Sequence, residues 1–261
     1  YRLLCPSATL FHKGKLFTAS INAAFPWEAI RKGVHQQSKL KTFWIAFTYY
    51  LHRQVGTWQK VDRYLVLTPF AKDLFQHSAL GIPENKLLVK PNFIRDPMKD
   101  QEEPQREDFF LFVGRLSEEK GIRTLLGAFE NSPYTLHLAG DGPLRDLVEQ
   151  KSKEQSNIHY LGQLDSVEIH KQMRTCNALI FPSQWYEGMP MTLIEAFATG
   201  TAVIASNLGA MATMISHGRD GLLFQAGDAG DLKANLDLWE QSDTTSKNSI
   251  RLHARKTYEA H

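Results

Sequence analysis

The sequence predicts an α/β protein organised around a doubly wound, Rossmann-like parallel sheet. Three observations carry this prediction. From Phe109 onward, short apolar runs alternate with helix-length segments, the pattern of successive βαβ units. The runs are short and largely apolar, as strands are when helices cover both faces of a sheet. The chain has 261 residues, 43% hydrophobic and 22% charged, ordinary for a globular protein and long enough for more than one domain.

The elements follow in order. "FFLFVGRL" (109–116) reads as a buried strand and "GIRTLLGAFE" (121–130) as a helix. "YTLHLAG" (134–140) is a strand, and "PLRDLVEQKSKE" (143–154) a helix opened by Pro143. "IHYLGQL" (158–164) is a strand, followed by a helix from Ser166 to Arg174 and the strand "ALIFPS" (178–183). The helix "PMTLIEAFATG" and the strand "TAVIAS" (201–206) complete the pattern. The stretch 92–107, "NFIRDPMKDQEEPQRE", is polar and contains prolines, as linkers do. Before it, 1–91 holds helices and one clear strand, "RYLVLT" (63–68), as in the second half of another α/β domain. The expected division is therefore 1–91 a partial α/β domain, 92–107 a linker, 108–245 a complete Rossmann-like domain, and 246–261 a C-terminal helix that is cut short. The chain opens on "YRLLCP" without a methionine, and a missing N-terminal part is expected.

Bulk properties exclude some partners. A net charge of +2 implies no strong polyanion such as nucleic acid. Cys5 and Cys176 are too few and too distant for a disulfide framework or a metal site, so a reducing cytoplasm is expected. The run "TFWIAFTYYL" (42–51), near Lys39, Lys41, Arg53 and Lys60, is too short to span a bilayer, which takes about 20 residues. It is expected to face a core. A helix of this composition also suits a membrane interface, so peripheral contact is carried as a second expectation.

In an open parallel sheet, ligands gather at the carboxyl ends of the strands. After the first strand comes "GRLSEEKG", with Arg115 at the strand end and Lys120 at the next helix start. A lysine facing the positive end of a helix dipole is disfavoured by roughly 0.3–1 kcal/mol, and an anionic ligand reverses that sign. Equally, Lys120 can point into water beside Glu118 and Glu119. After the second strand, "GDGP" (140–143) allows a tight turn and close backbone approach, as an ordinary loop also does. After "ALIFPS" comes "WYEGMPMTLIEAFATG" (185–200). Gly188 and Pro190 shape its turn, and the amides of Met189, Met191 and Thr192 are unpaired donors at the helix start. Glu195 sits about one turn inside an otherwise apolar helix. There it needs donors, which hydroxyl-rich ligands supply, or else it occupies a narrow exposed face.

Glu187 and Glu195, separated by seven residues, resemble the E-x7-E motif of retaining glycosyltransferases of the GT-B fold, family 4. "FVGRLSEEKGIRTLLGAF", "LHLAGDGP", "YLGQL", "FPSQWYEGMPMTLIEAFATGTAVIAS" and "GRDGLLFQAGDAGDL" follow in that family's order. The pieces "YRLLCPSATLFHKGK", "VDRYLVLTPFAKDLF" and "KLLVKPNF" resemble the acceptor-side domain of bacterial members.

The resemblance implies roles. Arg115, Lys120 and Glu187 would form the catalytic set, the two cations on the diphosphate of a nucleotide-sugar donor and Glu187 on sugar hydroxyls. Gly114, Gly140 and Gly142 would line the diphosphate site. Gly188 and the amides of Met189, Met191 and Thr192 would hold phosphate and sugar oxygens, and Glu195 the ribose. No Asp-x-Asp occurs, so no carboxylate clamp for a metal is expected and the nucleotide sugar serves as substrate without a cofactor. The acceptor would be a glycan or a lipid-linked glycan of bacterial surface polysaccharide, at the inner face of the membrane.

Two departures stand out. After "VIAS" the family has a Gly-Gly segment and a glutamate, whereas "NLGAMATMI" places Ala210 and Thr213 there, so no site is assigned to that loop. None of the ten histidines matches the family's reacting-carbon histidine. The chain alone is therefore expected to bind donor without turnover. A non-catalytic nucleotide-sugar-binding fragment and a GT-B epimerase or synthase are the alternatives.

Overall fold

The computed structural model describes residues 1–98 and 105–260; residues 99–104 of the expected linker and His261 of the expected terminal helix lie outside these. Two compact units result, Tyr1–Pro91 with Trp185–Met189, and Asn92–Gln184 with Pro190–His261.

In the first unit, β1 (Phe11–His12) and β2 (Lys15–Leu16) form a short antiparallel hairpin. Helices α1 (Trp27–Lys32) and α2 (Lys39–Gln54) follow. Ser38 starts α2 by accepting the Lys41 amide on its hydroxyl (3.3 Å), as N-cap serines do. Strand β3 (Tyr64–Val66), helix α3 (Pro69–Gln76) and strand β4 (Leu87–Val89) make one βαβ unit, with β3 and β4 parallel. The expected strand 63–68 is shortened because Thr68 already caps α3, its hydroxyl accepting from the Ala71 amide (3.2 Å), with Pro69 at the first helical position. Leu4, Leu10, Val66, Leu80 and Leu87 are core. The run 42–51 does lie in a helix, α2, but only its Thr42 and Ala46 are fully buried; Trp44 and Leu51 are exposed. Its core-facing expectation therefore holds for one narrow stripe only.

The second unit runs β5 (Phe109–Val113), a 3-10 turn at Glu118–Lys120, α4 (Ile122–Phe129), β6 (Thr135–Ala139), α5 (Arg145–Glu154) and β7 (Ile158–Gly162). It continues with α6 (Ser166–Thr175), β8 (Ala178–Phe181), α7 (Met191–Ala198), β9 (Val203–Ser206) and α8 (Gly209–Met214). It ends with β10 (Leu222–Phe224), α9 (Ala229–Gln241) and α10 (Thr244–Glu259). The six strands are parallel in the order β10-β9-β8-β5-β6-β7. The chain leaves β5 toward one edge, then returns to β8 and builds the other half. The crevice between β5 and β8 is thus the switch point at which such sheets bind ligands.

Side-chain alternation assigns the two faces. Phe110 and Phe112 of β5 point to one face and meet Leu125 and Phe129 of α4 and Trp239 of α9. Phe109, Leu111 and Val113 point to the other and meet Leu193 and Phe197 of α7, Met211 of α8 and Ala254 of α10. Both faces are covered, which is why the strands read as largely apolar.

Several boundaries depart from the sequence reading. Strand β5 stops at Val113 because Gly114 turns away, its N–H donating to the Ala139 carbonyl (3.0 Å). Pro143 precedes α5 instead of opening it: Leu144 donates to the Leu116 carbonyl (2.9 Å) and Arg145 to that of Gly142 (3.0 Å), and regular helix begins at Arg145. Pro190 is the N-cap of α7 and not its first residue. Strand β10 has only three residues, too short for the periodicity to mark.

Polar residues of the 92–107 stretch act as anchors. The Arg255 guanidinium of α10 grips Asp96 with two bonds (2.8 and 2.7 Å), and Tyr258 donates to the Ile94 carbonyl (3.2 Å). Arg106 donates to the carbonyls of Met173 (2.8 Å), Cys176 (3.2 Å), Thr199 (3.3 Å) and Gly200 (2.8 Å), and to the Thr201 hydroxyl (3.1 Å). It satisfies the exposed ends of α6 and α7 together. Arg106→Met should remove those bonds and destabilise the second unit by about 2–3 kcal/mol. A thermal melt should show the midpoint lowered by roughly 5–10 °C; an unchanged midpoint would mean that the carbonyls find other donors.

Candidate active site

The loops leaving β5 and β6 are knitted together by their backbones. Leu116 N–H donates to the Asp141 carbonyl (2.9 Å), Gly140 N–H to that of Gly162 (2.8 Å), and the Tyr160 phenol to that of Gly140 (3.0 Å). A Cβ on Gly140 would run into the Gly114 carbonyl oxygen, and one on Gly142 would stand 2.5 Å from the Leu116 carbonyl oxygen. These glycines are needed for backbone-to-backbone contact. Gly114, Arg115, Gly140 and Asp141 line a cavity of about 360 Å³, with Gln163 on its wall and Val113, Ala139, Leu164 and Ile169 as apolar lining. The structure thus brings Gly114, Arg115 and Gly140 together, with Gly142 in the adjoining turn. Asp141, Gln163 and Ile169 were not named from the sequence. Gln163 follows β7 directly, so the strand-end rule, carried one strand further, finds it.

Arg115 is exposed and makes no ion pair among the described residues. Lys120 does not extend into water beside its acidic neighbours. Its ammonium lies 5.5 Å from the ring centroid of Phe181 at the end of β8, while Glu118 is taken by Arg123 (2.8 Å). The Glu119 carbonyl accepts from the Gln184 amide (2.8 Å) and the Ser183 hydroxyl (3.3 Å), tying this turn to the loop after β8. Gly121 makes the approach possible: its φ is +75°, and a Cβ there would collide with the Pro182 carbonyl oxygen. Two buried hydroxyls at this edge, Ser117 and Ser206, have no hydrogen-bond partner among the described residues.

Helix α7 carries the remaining residues. Leu193 and Ile194 donate to the Pro190 carbonyl (3.2 and 3.4 Å), and the Met191 and Thr192 amides of the first turn have no partner among the described residues. Met191 is exposed and Thr192 half-buried. Glu195 is half-buried between fully buried Ile194 and Ala196, and its carboxylate receives no hydrogen bond from the described residues. Burial holds its carboxyl above the usual range; the charge of His170, next to Ile169 of the cavity, works the other way. Glu195 thus lies between the two sequence alternatives, neither buried nor fully exposed.

Glu187, Gly188 and Met189 group with the first unit. Glu187 is buried, and its main-chain carbonyl accepts from the Tyr1 phenol (2.9 Å). Burial, followed by the charge of Glu187, pushes that phenol well above its ordinary range. The Gly188 carbonyl accepts from Thr68 (3.5 Å). Among the described residues no group of three or more His, Cys, Asp or Glu could hold a metal ion.

Residues 94–257 match the family described as "Glycosyl transferases group 1". The chain is 29% identical over 152 residues to the D-rhamnosyltransferase WbpZ of Pseudomonas aeruginosa, covering 56% of this chain and 40% of that protein. It is 27% identical over 146 residues to the O-antigen chain mannosyltransferase C of Escherichia coli, covering 54% and 39%. The chain spans less than half the length of these curated relatives. Among solved structures, Anabaena Alr3699/HepE in complex with UDP superposes with a TM-score of 0.67 at 18% identity, covering 83% of this chain and 62% of that one. That likeness shows the fold, which is GT-B, with a Rossmann-like parallel sheet. With more than half of its length matched, the chain belongs to the glycosyl transferases group 1 family.

Proposed function

We propose that this protein is a retaining glycosyltransferase of the E-x7-E type, moving a hexose from a nucleotide-sugar donor to a glycan or lipid-linked glycan. The observation that carries the reading is Glu195, a half-buried carboxylate that receives no hydrogen bond from the described residues, beside a helix start with free amides. A carboxylate in that position is stabilised by the paired hydroxyls of a ribose. The cavity floored by Val113, Ala139 and Leu164 suits the flat, apolar faces of a nucleobase. Arg115, Lys120 and the amides of Met191 and Thr192 then meet the diphosphate.

The chemistry follows from those charges. Breaking the bond between sugar and diphosphate places negative charge on the departing phosphate. Fixed cations and amides stabilise that charge as it develops, without a metal ion or cofactor. Glu187 and Gly188 serve the donor sugar. The similarity to a D-rhamnosyltransferase and an O-antigen chain mannosyltransferase supports a glycan acceptor; the reading places the protein in the cytoplasm, in peripheral contact with the inner face of a membrane.

A stabilisation panel of nucleotide sugars tests the reading, since a bound ligand raises the melting midpoint by mass action; no shift with any nucleotide would sink it. Arg115→Ala and Lys120→Ala should each weaken UDP or GDP binding by about 10- to 100-fold in calorimetric titration, each charge-assisted bond contributing roughly 1.5–3 kcal/mol. Unchanged affinity in both would make them idle surface charges.

The two glutamates separate by ligand. Glu187→Gln should impair nucleotide-sugar binding more than nucleotide binding, whereas Glu195→Gln should impair both; equal losses in the two variants would refute the division.

Glu195 also ties binding to pH. A carboxyl raised by burial favours its protonated form in the fold, so its ionisation at neutral pH detracts from stability and that loss disappears as pH falls through the raised pKa. Glu195→Gln should therefore raise the melting midpoint of the ligand-free protein at pH 7, with the gain shrinking toward acid, while nucleotide affinity falls. A variant that lost both stability and affinity would show a structural carboxylate.

A further inference from the structure

We propose that the exposed aromatic face of α2 docks onto a bilayer rich in anionic lipid. This deepens the peripheral contact in the reading above, and it rests on the first unit alone.

Leu40, Trp44, Phe47 and Leu51 follow one another at helical spacing and share one side of α2, within about 60° of arc, and Val55 caps the helix beyond them. Phe47 is half-buried and the others are open: Leu40 is 68% exposed, Trp44 58% and Val55 64%. Trp27 of α1, 64% exposed, extends the patch through Phe25, whose ring lies 4.7 Å from that of Trp27 and 6.4 Å from that of Phe43. Large aromatics side by side on a surface are unusual for a face that meets only water.

Charge distinguishes among occupants. Lys39 and Lys41 flank the apolar stripe on either side, and α2 contains no acidic residue. Arg31 and Lys32 stand at the end of α1, where Lys32 is paired with Glu28 (2.6 Å). The imbalance extends through the unit. It holds 13 lysines and arginines against 5 acidic residues, net +8, while the remaining sequence holds 17 against 23, net −6. A near-neutral protein thus concentrates positive charge in the unit that carries the exposed aromatic face. Two copies meeting face to face about a two-fold axis would set this charge against itself. An anionic membrane surface attracts it and takes up Trp44 and Trp27 at the headgroup boundary, where indoles are favoured. At 1.5 Å per residue the 16 residues of α2 are about 24 Å long, so the helix lies in the plane of the surface and does not cross it. No helix among the described residues is long and apolar enough to cross a membrane.

Flotation of the chain with phosphatidylcholine vesicles, with and without phosphatidylglycerol, tests the proposal. Binding is expected only with phosphatidylglycerol, falling as salt rises, with a blue shift of tryptophan emission and quenching by brominated lipid. Lys39→Gln with Lys41→Gln should lower the partition constant about 25-fold, near fivefold for each charge. Trp44→Gln should lower it by about tenfold and reduce the quenching. Val167→Gln and Leu238→Gln, on exposed apolar positions of the second unit, should leave it unchanged. Absence of vesicle binding, equal binding to both vesicle types, or a dimer that Trp44→Gln converts to monomer would each overturn the proposal. Nucleotide titration of the same variants separates this outcome from the transferase reading, because neither the lipid assay nor the docking face uses the nucleotide.

Discussion

The second unit depends on peptide backbones meeting without side chains between them. Gly121 lies against the Pro182 carbonyl and Gly140 against that of Gly114, at separations that exclude even a methyl group. The first contact fixes the turn carrying Lys120 to the end of β8. The second fixes the turn after β6 to the end of β5 and the Arg115 loop. Together they close the loops around the switch point of the sheet, where connections diverge and leave a crevice. Arg115 and Lys120 are thus placed by backbone contacts.

The opposite end of the sheet is built differently. Arg106 joins the ends of α6 and α7 through five bonds, and Thr201 donates to the Met173 carbonyl (2.6 Å). Asn177 accepts from the buried indole of Trp239 (2.9 Å) and from Arg251 (3.1 Å). Apart from Arg251 Nε, these polar groups have partners. At the carboxyl edge, Ser117 and Ser206 are buried without partners and Arg115 has no counter-ion among the described residues. Unsatisfied polar groups are costly in a fold; among the described residues of the second unit they occur at both ends of the sheet, Ser117 and Ser206 at the carboxyl edge and the Nε atoms of Arg174 and Arg251 at the other.

Much of this was legible because the governing rules are local. Short, largely apolar runs marked β5, β6, β8 and β9, since helices cover both faces. The strand-end rule led directly to Arg115, Gly140 and α7. What escaped were features set by tertiary partners. Strand β10 is three residues long and is recognisable only beside β9. Asp96 and Arg106 read as linker polarity because their partners, Arg255 and the carbonyls near Gly200, are distant in sequence. The part-burial of Glu195 arises from a helix whose covered arc is set by α10 and the sheet, which periodicity alone does not specify. Tyr1, Thr68 and Tyr186 hold the 185–189 segment in the first unit through contacts more than a hundred residues apart along the chain. No local pattern announces them.

The same logic explains how one helix can serve stability and binding at once. Leu193, Ala196 and Phe197 of α7 are buried against the sheet and provide its anchorage, so the position of Glu195 is set by packing it does not share. A carboxylate held by its neighbours cannot retreat into water when the ligand is absent. It remains half-desolvated, with its proton affinity raised. On the proposed reading the ordering cost is met during folding, and a ribose would meet an acceptor already in position. A flexible surface glutamate would be easier to fold and poorer at binding, because each encounter would have to fix its rotamers anew. On that reading the half-buried carboxylate, with its proton affinity raised by burial, is a preorganised acceptor held by the apolar residues on either side of it.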